Sequence, residues 1–129
     1  VEPMVLIGAA SRGRRGAARP VITIEPTSMT WRAIEPLLRA HHPDLLARER
    51  LAVESFSAAI QMVKAGFGEG LVPLGLARET KVRVSTLRVL KNVERRVSLL
   101  TRKTVNQAES FTRLRRAIEE AAQRHFEAL

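Results

Sequence analysis

The stretch ESFSAAIQMVKAGFGEGLVPLGLARE, residues 54–79, places three glycines at alternate positions between two apolar segments. In the first segment apolar side chains recur at i, i+3, i+4 and i+7, which predicts a helix with one apolar face, formed by Phe56, Ala59, Ile60 and Val63. Ser55 is of the residue type that caps a helix N-terminus. The apolar run at 71–73 predicts a short buried strand that is closed by proline.

The glycine turn between these segments is not a dinucleotide-binding loop. Such a loop follows a strand and opens a helix, so that the helix N-terminus faces the pyrophosphate. Here the order is helix, glycine turn, strand. We expect Gly66 to end the helix with a positive φ, and Gly68 and Gly70 to let the chain turn sharply and approach its neighbours. This is a helix-to-strand connection of an α/β protein.

The residue pattern of this segment also resembles that of a known protein family. The pattern ES-F-x-A-A-x-x-x-V-x-A-G-x-G-x-G-L-x-P resembles the effector-binding domain of LysR-type transcriptional regulators. EPMVLIG at 2–8 is similar to the strand by which that family's chain enters its second lobe. VSLLTRK at 97–103, followed by an amphipathic helix, is similar to the return into the first lobe. The resemblance implies an α/β fold, one lobe of a two-lobed type 2 periplasmic-binding-protein-like domain.

The same resemblance implies how the chain is divided. Residues 1–96 correspond to the second lobe, and residues 97–129 to the closing strand and helix that return to a truncated first lobe. The N-terminal helix-turn-helix of the family and about half of its first lobe have no counterpart in this sequence. We therefore expect half of the ligand cleft to be absent unless a second chain supplies it.

Strand and helix patterns alternate along the chain, which predicts a mainly parallel sheet flanked by helices. Strands are predicted at 4–7, 21–24, 51–53, 71–73, 82–90 and 95–101. Helices are predicted from about residue 30, at 56–65 and at about 110–126, with a flexible basic loop at 11–20. Pro36 lacks an N–H donor, so the first helix either kinks there or starts later than Thr30.

Composition limits the class of protein. A chain of 129 residues suits one domain with a real core, and the absence of cysteine excludes disulfides and thiolate metal sites. The apolar runs are too short to cross a bilayer and no signal peptide is visible, so a cytoplasmic protein without membrane contact is expected.

The net charge of +9, from 22 basic and 13 acidic residues, raises the possibility of nucleic-acid binding. Against it, the chain has no tyrosine and only one tryptophan, and its basic residues are dispersed rather than gathered on one recognition helix. We expect DNA contact only through the N-terminal domain of a full regulator. A basic nucleic-acid-associated module and a solute-binding module of a transport system stay open as alternatives.

Catalytic and metal-binding patterns find no support. No serine lies in a G-x-S-x-G elbow, and the adjacent His41 and His42 cannot form the i, i+4 pair that binds zinc on a helix. No carboxylate pair lies at a predicted strand end. We predict no enzyme activity, no catalytic residue, no cofactor and no metal.

Two lines of reasoning place an effector site at Thr27, Ser28 and Thr30, with Ser55 and Phe56 opposite. The resemblance implies that both segments face the inter-lobe cleft. Independently, each is a strand end that leads into a helix N-terminus, where free N–H groups and the helix dipole favour an anion. The alternative is that the hydroxyls are ordinary helix caps and that the phenylalanine is a core anchor.

The function implied by the resemblance is the sensing of a small, anionic effector, whose binding controls the DNA-binding domains of the full regulator. Self-association into a dimer or larger assembly is also expected, because the family's effector domains pair. A second reason is that the truncated first lobe leaves apolar surface uncovered on residues 97–101 and on the last helix.

Overall fold

The computed structural model describes residues 1–8, 19–83 and 86–128, which form a five-stranded sheet with helices on both faces. The strands are β1 (Glu2–Ile7), β2 (Val21–Ile24), β3 (Arg50–Val53), β4 (Glu69–Pro73) and β5 (Leu87–Arg95). The helices are α1 (Met29–His41), α2 (Pro43–Leu46), α3 (Phe56–Lys64), α4 (Leu74–Glu79), α5 (Lys103–Asn106) and α6 (Glu109–Glu127).

The strand order in the sheet is β3-β2-β4-β1-β5. β2 pairs in parallel with both β3 and β4, whereas β1 pairs antiparallel with both β4 and β5. Every described strand except β1 therefore runs in the same direction. The predicted α/β class with a largely parallel sheet is confirmed, and β1 is the antiparallel exception.

The core has two halves, one on each face of the sheet. Met4 and Leu6 of β1 point into a cluster shared with α1, while Val5 and Ile7 point into a cluster shared with α3 and α4. These four side chains are at most 1% exposed. Alternating side chains of one strand thus fill both halves, as expected for a strand covered on both faces.

The glycine turn has the predicted geometry. Gly66 has φ of +87°, so it ends α3 in the left-handed region that favours glycine. A Cβ on Gly68 would lie 2.4 Å from the backbone oxygen of Pro20, and one on Gly70 would lie 2.7 Å from a methyl group of Val63. Both distances are too short for real atoms. Gly68 is required because the backbone of Pro20 blocks a side chain there, whereas a side chain at Gly70 would force Val63 to shift.

Helix α1 begins at Met29 and continues through Pro36, which excludes a start later than Thr30, one of the two predicted alternatives. The reason is the cap: the hydroxyl of Ser28 accepts a hydrogen bond from the N–H of Trp31 and initiates the helix there. The face of α1 that packs on the sheet is formed by Trp31, Ile34 and Leu38, which are buried.

In place of the predicted strands at 82–90 and 95–101, the described residues form the single strand β5, and residues 84 and 85 lie outside the described part of the chain. Residues 96–102 form no strand with any described residue, although their apolar composition is typical of one. The physical reason is that a strand needs a neighbour to pair with, and here Leu99 and Leu100 remain 46% and 89% exposed. The predicted basic loop at 11–20 lies mostly outside the described residues.

The predicted last helix is confirmed as α6, but its apolar face is not buried. Leu114 and Ile118 are 55% and 38% exposed. No helix among the described residues is long and apolar enough to cross a membrane.

Candidate functional site

The candidate site lies at the carboxyl ends of β2 and β3, which are neighbours in the sheet. Ile24 pairs with Val53 in the last register position of these strands. The N–H of Glu25 then donates a hydrogen bond to the carbonyl of Val53 at 3.0 Å. The loops that follow the two strands therefore start side by side at one edge of the sheet.

The helices that follow these strands pack on opposite faces of the sheet. Trp31 of α1 belongs to one half of the core, and Ala59 and Ile60 of α3 belong to the other. In open α/β sheets, a crevice forms outside the carboxyl ends of two adjacent strands whose connections leave in opposite directions, and ligands bind in such crevices. The loops after β2 and β3 border this position.

The predicted site residues lie in these two loops and in the first turns of α1 and α3. Thr27 and Ser55 are exposed, while Ser28, Thr30 and Phe56 are partly buried. Neither threonine hydroxyl makes a side-chain hydrogen bond to another described residue. The edge is therefore open to solvent on the described part of the chain, with hydroxyl groups at its surface.

Both serines cap the helices that they precede. The hydroxyl oxygen of Ser28 accepts from the N–H of Trp31 at 3.0 Å, and that of Ser55 accepts from the N–H of Ala58 at 3.1 Å. Capping uses the oxygen as an acceptor and leaves the O–H proton free to donate. Capping and ligand contact are therefore compatible roles for these two hydroxyls.

Each helix N-terminus also presents backbone donors. The first N–H groups of a helix have no carbonyl four residues earlier to bond to, so those of Met29 and Thr30 in α1, and of Phe56 and Ser57 in α3, point out of the helix ends. Such groups, together with the helix dipole, attract negative charge.

Two carboxylates oppose that attraction. Glu25 and Glu54 directly follow β2 and β3, and both are exposed at the same edge. A carboxylate close to a bound anion repels the anion and weakens its binding. Solvent and salt screen much of this repulsion at an exposed position. The edge therefore suits an anion of low charge better than a multiply charged one.

Phe56 has the core-anchor role that was the alternative for it, and it lies close to the carboxyl edge of the sheet. Its partly buried side chain packs against both halves of the core. The guanidinium of Arg95 lies over its ring, 5.6 Å from the ring centroid. The phenylalanine is thus a core anchor that also carries a cation at the carboxyl edge of the sheet.

Arg95 belongs to a partly buried network that sequence reasoning missed. It pairs with Glu2, whose carboxylate accepts from Nε at 2.7 Å and lies 2.7 Å from a terminal guanidinium nitrogen. The other carboxylate oxygen accepts from the N–H of Gly75 at 2.9 Å. Glu2 is only 2% exposed. The network ties β1, β5 and α4 together beside Phe56, and no local sequence signal links residues 93 positions apart.

The two adjacent histidines point to no metal site. Nε2 of His42 lies 3.0 Å from the carbonyl oxygen of Lys91, within hydrogen-bond distance. Among the described residues, no group of three or more histidine, cysteine, aspartate or glutamate side chains could hold a metal ion.

The fold and this edge define an α/β lobe of the class that binds ligands outside the carboxyl ends of its strands. The family model of the LysR substrate binding domain matches residues 2–123. The chain belongs to this family, so its lobe has the type 2 periplasmic-binding-protein-like fold, and domains of this family sense effectors in LysR-type transcriptional regulators. A comparison with curated proteins finds no match to the chain.

Proposed function

We propose that this domain binds a small anionic effector at the carboxyl edge of β2 and β3 and so controls DNA binding by the N-terminal domain of a LysR-type regulator. The observation that carries the proposal is the divergence of α1 and α3 from adjacent strands, the arrangement outside which ligands bind in open α/β sheets. The family match supports the sensing role over the transport and nucleic-acid alternatives.

The residues proposed to contact the effector are Thr27, Ser28, Thr30, Ser55 and Phe56. The hydroxyls of the serines and threonines, and the backbone N–H groups at both helix ends, supply donors without adding charge. Glu25 and Glu54 at the same edge disfavour a second negative charge on the ligand. A small monocarboxylate with a short apolar part suits these donors and the two nearby carboxylates, and Phe56 offers a surface for its apolar part.

We further propose how binding is transmitted. β1 begins and β5 ends at this same edge, where Glu2 pairs with Arg95. In the proposed division, residues 1–96 form the second lobe and residues 97–129 return to the first lobe, so the effector binds next to both crossing strands. Closure of the cleft would then move the lobes relative to each other in the cytoplasm, where the regulated DNA lies. The domain itself performs no catalysis in this proposal.

The cleanest test uses two substitutions in the regulator that contains this domain. Ser28→Asp keeps a capping side chain on α1 but places a negative charge in the proposed anion site. Thr27→Ala removes a hydroxyl that caps neither helix. A panel of small carboxylates and their neutral amides is screened by thermal shift, and the best carboxylate is then tested on the variants.

We expect Ser28→Asp to abolish the thermal shift and Thr27→Ala to weaken binding about tenfold, the value of one hydrogen bond to a charged group. Ser57→Ala, one residue inside α3, serves as a hydroxyl-removal control that keeps the cap. Normal binding by both variants would show that the site lies elsewhere. An amide binding as well as its carboxylate would contradict the anionic ligand while leaving the site intact.

Self-association is a second part of the proposal. The exposed apolar residues of the C-terminal segment are Val97, Leu99, Leu100, Val105, Leu114 and Ile118. A shallow depression of about 530 Å³ on this segment is lined by Val105, Phe111 and Leu114, among others. Apolar surface of this kind is usually covered by another protein surface.

We expect light scattering to report a dimer or larger assembly of the chain at micromolar concentration. The double substitution of Leu114 and Ile118 to glutamate should shift it toward the monomer, because it places two charges on the apolar face of α6. Phe67→Glu is the control, since Phe67 is 60% exposed but lies in the glycine turn. A strict monomer at high concentration would contradict this part of the proposal.

A further inference from the structure

A cavity of about 500 Å³ lies at the opposite edge of the sheet from the candidate effector site. It is bordered by Ile7 and Gly8, where β1 ends. Ile7 pairs with Gly70 near the start of β4, whereas the other end of β1 lies beside Arg95 at the effector edge. A strand of six residues spans about 20 Å, so the two sites are separate.

The lining of this cavity divides into an apolar wall and a basic rim. Ile60, Val63 and Val82 form part of the wall, and Lys64, Lys81 and Arg83 supply three cations. None of the described residues that line the cavity is acidic. The ion pairs among described residues engage other arginines, so these three cations face one cavity without a described carboxylate partner. Like charges gathered in this way attract multiply charged anions.

Lys81 occupies a position that favours glycine. Its N–H bonds to the carbonyl of Arg78 and the N–H of Val82 bonds to that of Ala77, a Schellman motif that closes α4. In that motif the residue with positive φ is usually glycine, yet Lys81 has φ of +53°. Lys81 lines the cavity and holds this conformation at a cost that glycine would avoid.

A second Schellman motif in the chain has glycine at the position with positive φ. At the end of α3, the N–H of Gly66 bonds to Val63 and that of Phe67 bonds to Met62, with the glycine at φ of +87°. The two helices therefore close in the same way, one with glycine and one with lysine. The difference sets Lys81 apart as a residue whose side chain, rather than its backbone, has a role.

We propose that this cavity binds a small organic phosphate, whose dianionic group contacts Lys64, Lys81 and Arg83 while its organic part packs on the apolar wall. Lysine and arginine are the residues that bind phosphate in proteins. The volume lies within the range of about 300–1,000 Å³ that is typical of small-molecule sites. The proposed site is independent of the effector site, which suits a singly charged ligand.

The test uses the 129-residue chain and phenyl phosphate as the probe, at physiological salt, with binding measured by calorimetry and by amide NMR shifts. We expect phenyl phosphate to bind more tightly than inorganic phosphate, which lacks the apolar part. It should also bind more tightly than benzenesulfonate, which carries one negative charge. Amide shifts should concentrate at Gly8 and Val82 and spare Ser28 and Ser55.

Lys81→Gly is the decisive variant, because glycine fits the backbone and only the side chain is lost. We expect it to weaken phenyl phosphate binding about tenfold, the value of a charged contact, with an unchanged or higher melting temperature. Lys103→Ala on α5 removes the same charge away from the cavity and should bind normally. Ser28→Asp should also bind normally, which separates this site from the effector site.

Equal weakening by Lys81→Gly and Lys103→Ala would mean that the probe senses only net charge, and the proposal would be wrong. The absence of millimolar phenyl phosphate binding to the unmodified chain would also overturn it. Shifts centred on Ser28 and Ser55 would assign the probe to the effector edge instead.

Discussion

Substitution of Arg95 by alanine should lower the free energy of unfolding by about 3 kcal/mol, the lower end of the range for breaking a buried ion pair, because the Arg95 side chain itself is 29% exposed. The loss arises because Glu2 is only 2% exposed, so its carboxylate cannot recover water when its partner is removed. It keeps only the N–H of Gly75. The cation above Phe56 is lost as well, which adds a smaller contribution at the candidate site.

Urea unfolding of the chain, followed by far-UV circular dichroism, measures this change. Arg39→Ala is the matched control, because Arg39 pairs with Glu35 on the surface of α1 and its side chain is 70% exposed. Such pairs contribute about 0.5 kcal/mol or less. Equal effects of the two arginine substitutions would show that the Glu2–Arg95 pair is not buried in solution.

A double variant separates two possible causes of this loss, the unpaired carboxylate of Glu2 and the lost packing of Arg95. Glu2→Gln keeps an acceptor for the N–H of Gly75 but removes the charge that Arg95 neutralises. If the cost of Arg95→Ala is the unpaired carboxylate, then adding Glu2→Gln should recover part of the lost stability. A purely additive double variant would assign the cost to lost packing of the arginine instead.

The parts of the fold that could be predicted from the sequence are those with local signals. Helix α3, its cap at Ser55 and its end at Gly66 follow from an apolar period of 3.6 and from residue types that suit each position. The close approach required of Gly68 was also expected. These signals are all contained within a few residues, so tertiary contacts do not need to be known.

Features that depend on residues distant in the sequence were either predicted wrongly or gave no local signal. Residues 97–100 have the composition of a strand but pair with no described strand. The pair of Arg48 with Glu69 at 2.8 Å joins the segment before β3 to β4 and has no local motif. The family resemblance and the helix-start signals predict the candidate site in these segments, but the adjacency of β2 and β3 and the divergence of their helices are long-range properties.

The largest single loss of stability is expected on replacing Trp31 with alanine, which should cost about 3–5 kcal/mol. Trp31 is 2% exposed and packs in the half of the core that joins α1 to β1 and β5. The guanidinium of Arg50 lies 4.9 Å from its ring centroid, so the indole also joins α1 to the start of β3. Alanine leaves a cavity that the surrounding sheet and helix cannot close fully.

The position of Trp31 links this loss to the candidate site. Its N–H is the donor to Ser28, so the same residue holds the loop after β2 through its backbone and anchors α1 through its side chain. Alanine keeps the N–H and removes only the anchor. Ser28→Ala removes the cap and keeps the anchor, and should cost about 1 kcal/mol. The two variants therefore separate the core contribution from the cap contribution at one end of α1.

Urea unfolding followed by far-UV circular dichroism again measures the effect, since Trp31 is the only tryptophan and its fluorescence is lost with it. Met29→Ala is the control two residues earlier, because Met29 is 82% exposed and its removal should change stability by less than about 0.5 kcal/mol. The stability loss of Trp31→Phe should lie between those of Trp31→Ala and Met29→Ala, since the smaller ring fills part of the space. A cost below about 1 kcal/mol for Trp31→Ala would contradict the packing of α1 against this face of the sheet.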